Sequence, residues 1–214
     1  IAYSSNWADG VVAVDIGAKK HKEADRSKSQ FNPLLAKAGQ GSPSNPIKLA
    51  EMKDPTGRNH AAFPYTSEST GQFYIVGGDE NFPWGVMATK NKPSNPRGAY
   101  HFLNFTDPEN PTEDAIYEVP EAGSHNLWIY GDMLLAGNYQ GGFRVVDISG
   151  ELLGDIYKQG REIAHYLSYH EKGRIANAPM VWGAQPYKDY IFFSDMNSGL
   201  YCVQLEEESS SSTD

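Results

Sequence analysis

His60 and His125 each stand near the head of a similar stretch, a polar residue followed by an apolar run: His60-Ala61-Ala62-Phe63-Pro64-Tyr65 and Ser124-His125-Asn126-Leu127-Trp128-Ile129. Imidazoles from equivalent places in a repeat can converge on one point, and neutral imidazole ligates zinc, copper, iron and nickel. A third copy, Asn177-Ala178-Pro179-Met180-Val181-Trp182, puts Asn177 in the corresponding slot. The alternative is that each His serves the repeat itself by bonding a neighbouring backbone group or carboxylate. Both readings stay open at the level of sequence. Phe82 and Trp84 (in FPWG) and Tyr187 (in QPYKD) occupy loop-like sequence, where exposed aromatics act as contact anchors for protein or glycan.

Other ligand types are present without a recognisable spacing. Glu162, His165, His170 and Glu171 do not form a standard zinc motif. Asp107, Glu109 and Glu113, or Asp195 and Asn197, offer oxygens suited to calcium, but not at the offsets of a known calcium loop. No G-x-S-x-G elbow exists and no G-x-G-x-x-G follows a strand, so no catalytic residue is assigned. No organic cofactor is predicted; calcium or a transition metal is the one kind of group these side chains suit. A net charge of −9 opposes binding to phosphate backbones and anionic membranes, which argues against nucleic acid as a partner. No run approaches the roughly 18 apolar residues of a membrane helix. The single Cys202 excludes an internal disulfide and lies in an apolar run, which predicts burial.

The elements that must position these residues repeat along the chain. An Asn or Asp, three residues, a Gly or Ala and an apolar strand recur at Asn6–Ile16, Asn95–Phe105, Asn138–Ile148 and Asp195–Leu205. A polar turn residue and Gly suit a tight hairpin, and the run that follows has the apolar density of a buried strand. Self-similarity at about 40–50 residues is the mark of propellers and solenoids. The predicted fold is all-β, a β-propeller of four-stranded antiparallel blades, incomplete in this chain. Residues 1–206 divide into a blade fragment (1–16), an insertion (17–58), blades at 59–120 and 121–160, an insertion (161–176) and a blade at 177–206. Residues 114–120 and 151–160 are expected to be outermost strands. Residues 207–214, acidic and Ser-rich, are expected to be a disordered tail.

The segment His125 to Ser149, HNLWIYGDMLLAGNYQGGFRVVDIS, resembles the LVIVD repeat family of bacterial β-propellers, and SDMNSGLY at Ser194 to Tyr201 is similar to a last blade of such proteins. The resemblance implies an exported or surface protein, periplasmic, outer-surface or extracellular, and carries no catalytic residues with it. It places His60 and His125 on channel-facing first strands, at an axial site. Three blades and a fragment cannot close a ring, so another polypeptide or an N-terminal part is expected to supply the remaining blades. The expected function is a non-enzymatic binding or structural subunit docking through its loops to a larger protein assembly or a cell-surface component. A metal-dependent enzyme with an axial His site and a carbohydrate-binding module are the alternatives.

Overall fold

Short apolar runs punctuated by turns become fifteen strands among the described residues, with one turn of 3-10 helix at Pro33–Ala36. The computed structural model describes residues 1–19, 31–53, 55–86 and 92–206. The first sheet is β1 (Ala2–Ser5), β2 (Val11–Asp15) and β3 (Ile47–Met52). The second is β4 (Asn59–Thr66), β5 (Phe73–Asp79), β6 (Tyr100–Asn104) and β7 (Thr112–Tyr117). The third starts with β8 (Leu127–Tyr130), β9 (Met133–Gly137) and β10 (Phe143–Asp147). After the two-residue β11 (Gly154–Asp155), which pairs in parallel with β7, it is completed by β12 (Glu162–Tyr166). The fourth is β13 (Val181–Tyr187), β14 (Tyr190–Asp195) and β15 (Gly199–Val203). Apart from β11, every pairing is antiparallel. Among the described residues no helix is long and apolar enough to cross a membrane.

Period-2 alternation explains how the sheets stack. On β5, Phe73 and Ile75 pack against the first sheet while Tyr74 and Val76 pack against the third. On β9, Leu134 and Ala136 face the second sheet and Leu135 faces the fourth. Three cores result, one at each junction between consecutive sheets. Each fully buried Phe, Leu or Val contributes about 1.5–3 kcal/mol relative to exposure. Four sheets packed in chain order, with β1, β4, β8 and β13 side by side, are consistent with a propeller-like β fold.

The same small irregularity recurs where sheets meet. The β4–β5 ladder passes from Asn59 opposite Asp79 to Ala61 opposite Gly78, leaving His60 as an extra residue. The β13–β14 ladder passes from Val181 opposite Asp195 to Gly183 opposite Ser194, leaving Trp182 extra. Just before β8, Gly137 accepts from His125 N at 3.0 Å and donates to Asn126 O at 3.1 Å, so His125 holds the same place. Such bulges bend a strand and re-aim a side chain. The carbonyl of each bulge residue presses on the preceding sheet at a position that must be small or polar. Ser5 Oγ donates to His60 O at 2.7 Å. A Cβ on Gly78 would stand 2.9 Å from His125 O, and one on Gly137 only 2.6 Å from the Trp182 carbonyl carbon.

Several expectations change. The 17–58 segment is not a bare insertion: Ile47–Met52 forms the third strand of the first sheet, hidden in the sequence because Lys48 and Glu51 lie on its exposed positions. Its basic stretch from Lys20 to Gln30 lies outside the described residues, as does the 207–214 tail. The outer strand of the third sheet is Glu162–Tyr166 rather than 151–160, where Gly150, Gly154 and Gly160 take positive φ and break an extended run. The third counterpart of His60 and His125 is Trp182, not Asn177, since β13 starts only at Val181. Cys202 is exposed, because among the described residues no sheet covers its side of β15.

Two consequences are measurable. Gly137→Ala forces a methyl group into the Trp182 backbone, with an expected loss of about 1–3 kcal/mol in chemical denaturation. Asp15 accepts from the backbone N–H groups of Gly17, Ala18, Gly39, Gln40 and Gly41, which holds its carboxyl well below the usual range. A depressed carboxylate stabilises above its unfolded pKa and loses that contribution as pH falls. Asp15→Asn should therefore lower the melting temperature at pH 7, and the gap to the parent should narrow progressively below pH 3.8.

Candidate metal centre

The bulges bring His60 and His125 together, with ring centroids 4.4 Å apart. Glu80, the residue after β5, reaches both: His60 Nδ1 lies 3.1 Å from Glu80 Oε2 and His125 Nε2 lies 3.7 Å from Oε1. One ligand atom from each of the three falls within 4.8 Å of the others. Ligands held at about 2.0–2.2 Å on a single zinc-like ion stand about 3–3.5 Å apart at angles of 90–110°. The 3.1 Å spacing falls in that range and the 3.7 Å spacing lies just above it.

Each member of the trio is oriented by a second group. His125 Nδ1 lies 2.8 Å from Trp182 O, and only an N–H can bond a carbonyl, so in the neutral ring the proton sits on Nδ1 and the lone pair on Nε2 points toward Glu80. A ligating His typically donates its other N–H in this way. The Tyr139 hydroxyl donates to Glu80 Oε1. Burial and this carboxylate push the Tyr139 phenol far above its ordinary pKa, so it remains a donor. Tyr139 has φ 41, matched by φ 49 at Trp7 in the equivalent turn, and paired backbone bonds to Val181 hold it there. Trp182 stacks on His125 at 5.1 Å and Trp7 flanks His60 at 5.8 Å, giving an arc of four rings.

Burial lowers the His125 pKa, and neighbouring His60 lowers it further, against the raising effects of the Trp182 carbonyl and Glu80. His125 is therefore neutral at pH 7. Its Nε2 lone pair then faces a carboxylate oxygen, two acceptors with no proton between them. A cation placed there satisfies both.

No protein-family model, curated protein or solved structure matches this chain. What the centre does must therefore be argued from its own chemistry.

The other residues singled out by sequence take separate places. Phe82 packs edge-on against Tyr139 at 5.7 Å, beside the centre. Trp84 is exposed, with the Arg97 guanidinium 5.0 Å above its ring. Tyr187 ends β13 at the opposite end of that strand from Trp182 and is capped by Lys188, so the three aromatics do not form one surface. Glu162 is held by Arg144 at 2.9 and 3.0 Å, by Tyr117 at 2.6 Å and by His165 at 3.0 Å, a tie between the second and third sheets. His170 and Glu171 are exposed and do not join it. Asp107 caps its own turn through Glu109 N and Asn110. Asp195 likewise accepts from Asn197 N and Ser198 N.

Sequence reasoning missed Glu80, Tyr139 and Trp182. Glu80 follows Asp79 as Trp7 follows Asn6, Tyr139 follows Asn138 and Met196 follows Asp195. A carboxylate in a column of aromatic and apolar residues was the available signal. In the metal-free protein, the His125 imidazole should titrate with a midpoint below 6.5 by NMR, and Glu80→Gln should lower it further by removing the attracting charge. By linkage, this depressed His supports stability above its unfolded pKa, and that support is lost as pH falls below about 6.5.

Proposed function

We propose that His60, Glu80 and His125 form a divalent transition-metal centre on a propeller-type scaffold. The observation that carries the reading is the His125 Nε2 lone pair aimed at the Glu80 carboxylate while Nδ1 is committed to the Trp182 carbonyl. Two imidazoles and one carboxylate suit zinc, iron or copper better than calcium or magnesium, which prefer all-oxygen sites. Three protein ligands leave positions open for a water or a small ligand, an arrangement compatible with a metal-dependent enzyme. The resemblance to LVIVD repeats supports the scaffold, a bacterial and exported β-propeller.

Purified chain dialysed against zinc and then buffer should retain about one metal per chain. His125→Ala and Glu80→Gln should each weaken retention at least tenfold, following the usual cost of lost ligands and their partners. Trp84→Ala should leave it unchanged. Equal retention by the parent and both ligand variants would contradict the reading.

A second reading, docking to a further polypeptide, is favoured by one feature. The face of the fourth sheet away from the third carries Phe192, Ser194, Leu200 and Cys202 with no sheet against it among the described residues, and Leu200 is 75% exposed. Ser194 stands where Ser5, Gly78 and Gly137 receive the next sheet's bulge carbonyl, an unfilled copy of the repeated junction. The occupant proposed is a further sheet of the same repeat, from another polypeptide or an N-terminal part of a longer one. Cys202 reports on that face: a maleimide should label it rapidly in the isolated chain and slowly in an assembly carrying the additional sheets. Equal labelling rates in the two would count against docking there.

A further inference from the structure

Glu80, one member of the trio, also lines a larger space. A cavity of about 620 Å³ opens over Glu80 and Tyr139. Its walls are largely apolar, with Trp7, Phe82, Met180, Trp182 and Met196 among them. This volume lies within the 300–1,000 Å³ of small-ligand sites, and an apolar lining with a few placed polar groups is their usual composition.

Two arginines stand among its polar groups. Arg58 and Arg174 both line the cavity, and neither forms an ion pair with a described carboxylate. In a chain of net charge −9, two guanidinium groups against the single carboxylate of Glu80 give this concavity a locally positive lining. Both rise from fixed backbone. The carbonyl of Arg58 accepts from Glu80 N at 2.9 Å, immediately before buried Asn59. Arg174 N donates to Asn197 O at 3.0 Å, and the Asn197 side chain clamps the following turn through Ile175 and Ala178. Holding the bases of two long side chains in place reduces the ordering cost of binding.

We propose that this cavity binds a small, singly charged organic acid, its carboxylate met by Arg58 and Arg174 and its apolar body lying against Trp7, Trp182 and the methionines. Guanidinium groups pair with carboxylates in a planar, often bidentate geometry. Glu80 on the floor and the negative charge of the whole chain disfavour multiply charged anions such as phosphate. The arginines act with or without a metal below them, so the inference goes beyond the metal reading and does not depend on it.

Tryptophan fluorescence of the intact 214-residue chain tests it, since Trp7 and Trp182 line the cavity. Titration with 3-phenylpropionate should give saturable quenching in both metal-free and zinc-loaded protein. The matched neutral amide should bind at least tenfold more weakly, and inorganic phosphate should give no saturable change. Arg58→Gln and Arg174→Gln should each weaken the acid at least tenfold, with near-UV circular dichroism and zinc retention as in the parent. Equal binding of acid and amide, saturable binding of phosphate, absence of saturable quenching by the acid, or unchanged affinity in both arginine variants would each overturn the proposal. Loss of zinc retention with acid binding intact would instead overturn the metal reading alone.

Discussion

The structure depends on how one sheet seats against the next. At each junction an extra residue in the innermost strand pushes its carbonyl onto the preceding sheet, where Ser5, Gly78 or Gly137 makes room. Alternating side chains on β5 and β9 then fill the space on both sides of a sheet at once. Because the seating repeats, the residues that make it come into register: His60, His125 and Trp182 line up as neighbouring rings. The centre is thus a by-product of the rule that stacks the sheets. Its precision rests on the same backbone contacts, such as the Trp182 carbonyl that fixes the His125 tautomer.

Around that frame, charge is handled by pairing rather than by exposure. Buried His101 sits between Asp79 and Glu113, at 3.1 and 2.5 Å, and ties β5 and β6 to β7. Arg144, Glu162 and Tyr117 do the same between sheets. Breaking one partner of such a buried set leaves the other uncompensated, which is why these groups persist as units. The His60–Glu80–His125 set differs. One of its imidazoles is kept neutral by burial, and the carboxylate it faces is already engaged by Tyr139. The proposed metal reading rests on that difference.

The strands with dense apolar runs were legible from sequence, as were the turn glycines. Phe73–Asp79, Met133–Gly137 and Tyr190–Asp195 all coincide with expected strands. Two outer strands were not. Ile47–Met52 carries Lys48 and Glu51 on exposed positions and Glu162–Tyr166 includes Glu162 and His165, so their apolar density falls to that of a loop. The pairing of His60 with His125 followed from their shared place in the repeat. Trp182 did not, because a bulge shifts the register by one residue and sequence pattern alone does not mark where; Glu80 was marked only by being a carboxylate in the column of residues that follow the turn Asn or Asp. Sequence weighed a docking role more heavily; the metal reading proposed here starts from the arrangement around His125.

The central claim is that two imidazoles and one carboxylate share a single ion. X-ray absorption at the zinc edge on the loaded protein addresses it directly. The account predicts an inner shell with imidazole scattering from two rings at about 2.0–2.1 Å and oxygen donors in the remaining positions. A shell of oxygen donors alone, without imidazole scattering, would contradict it.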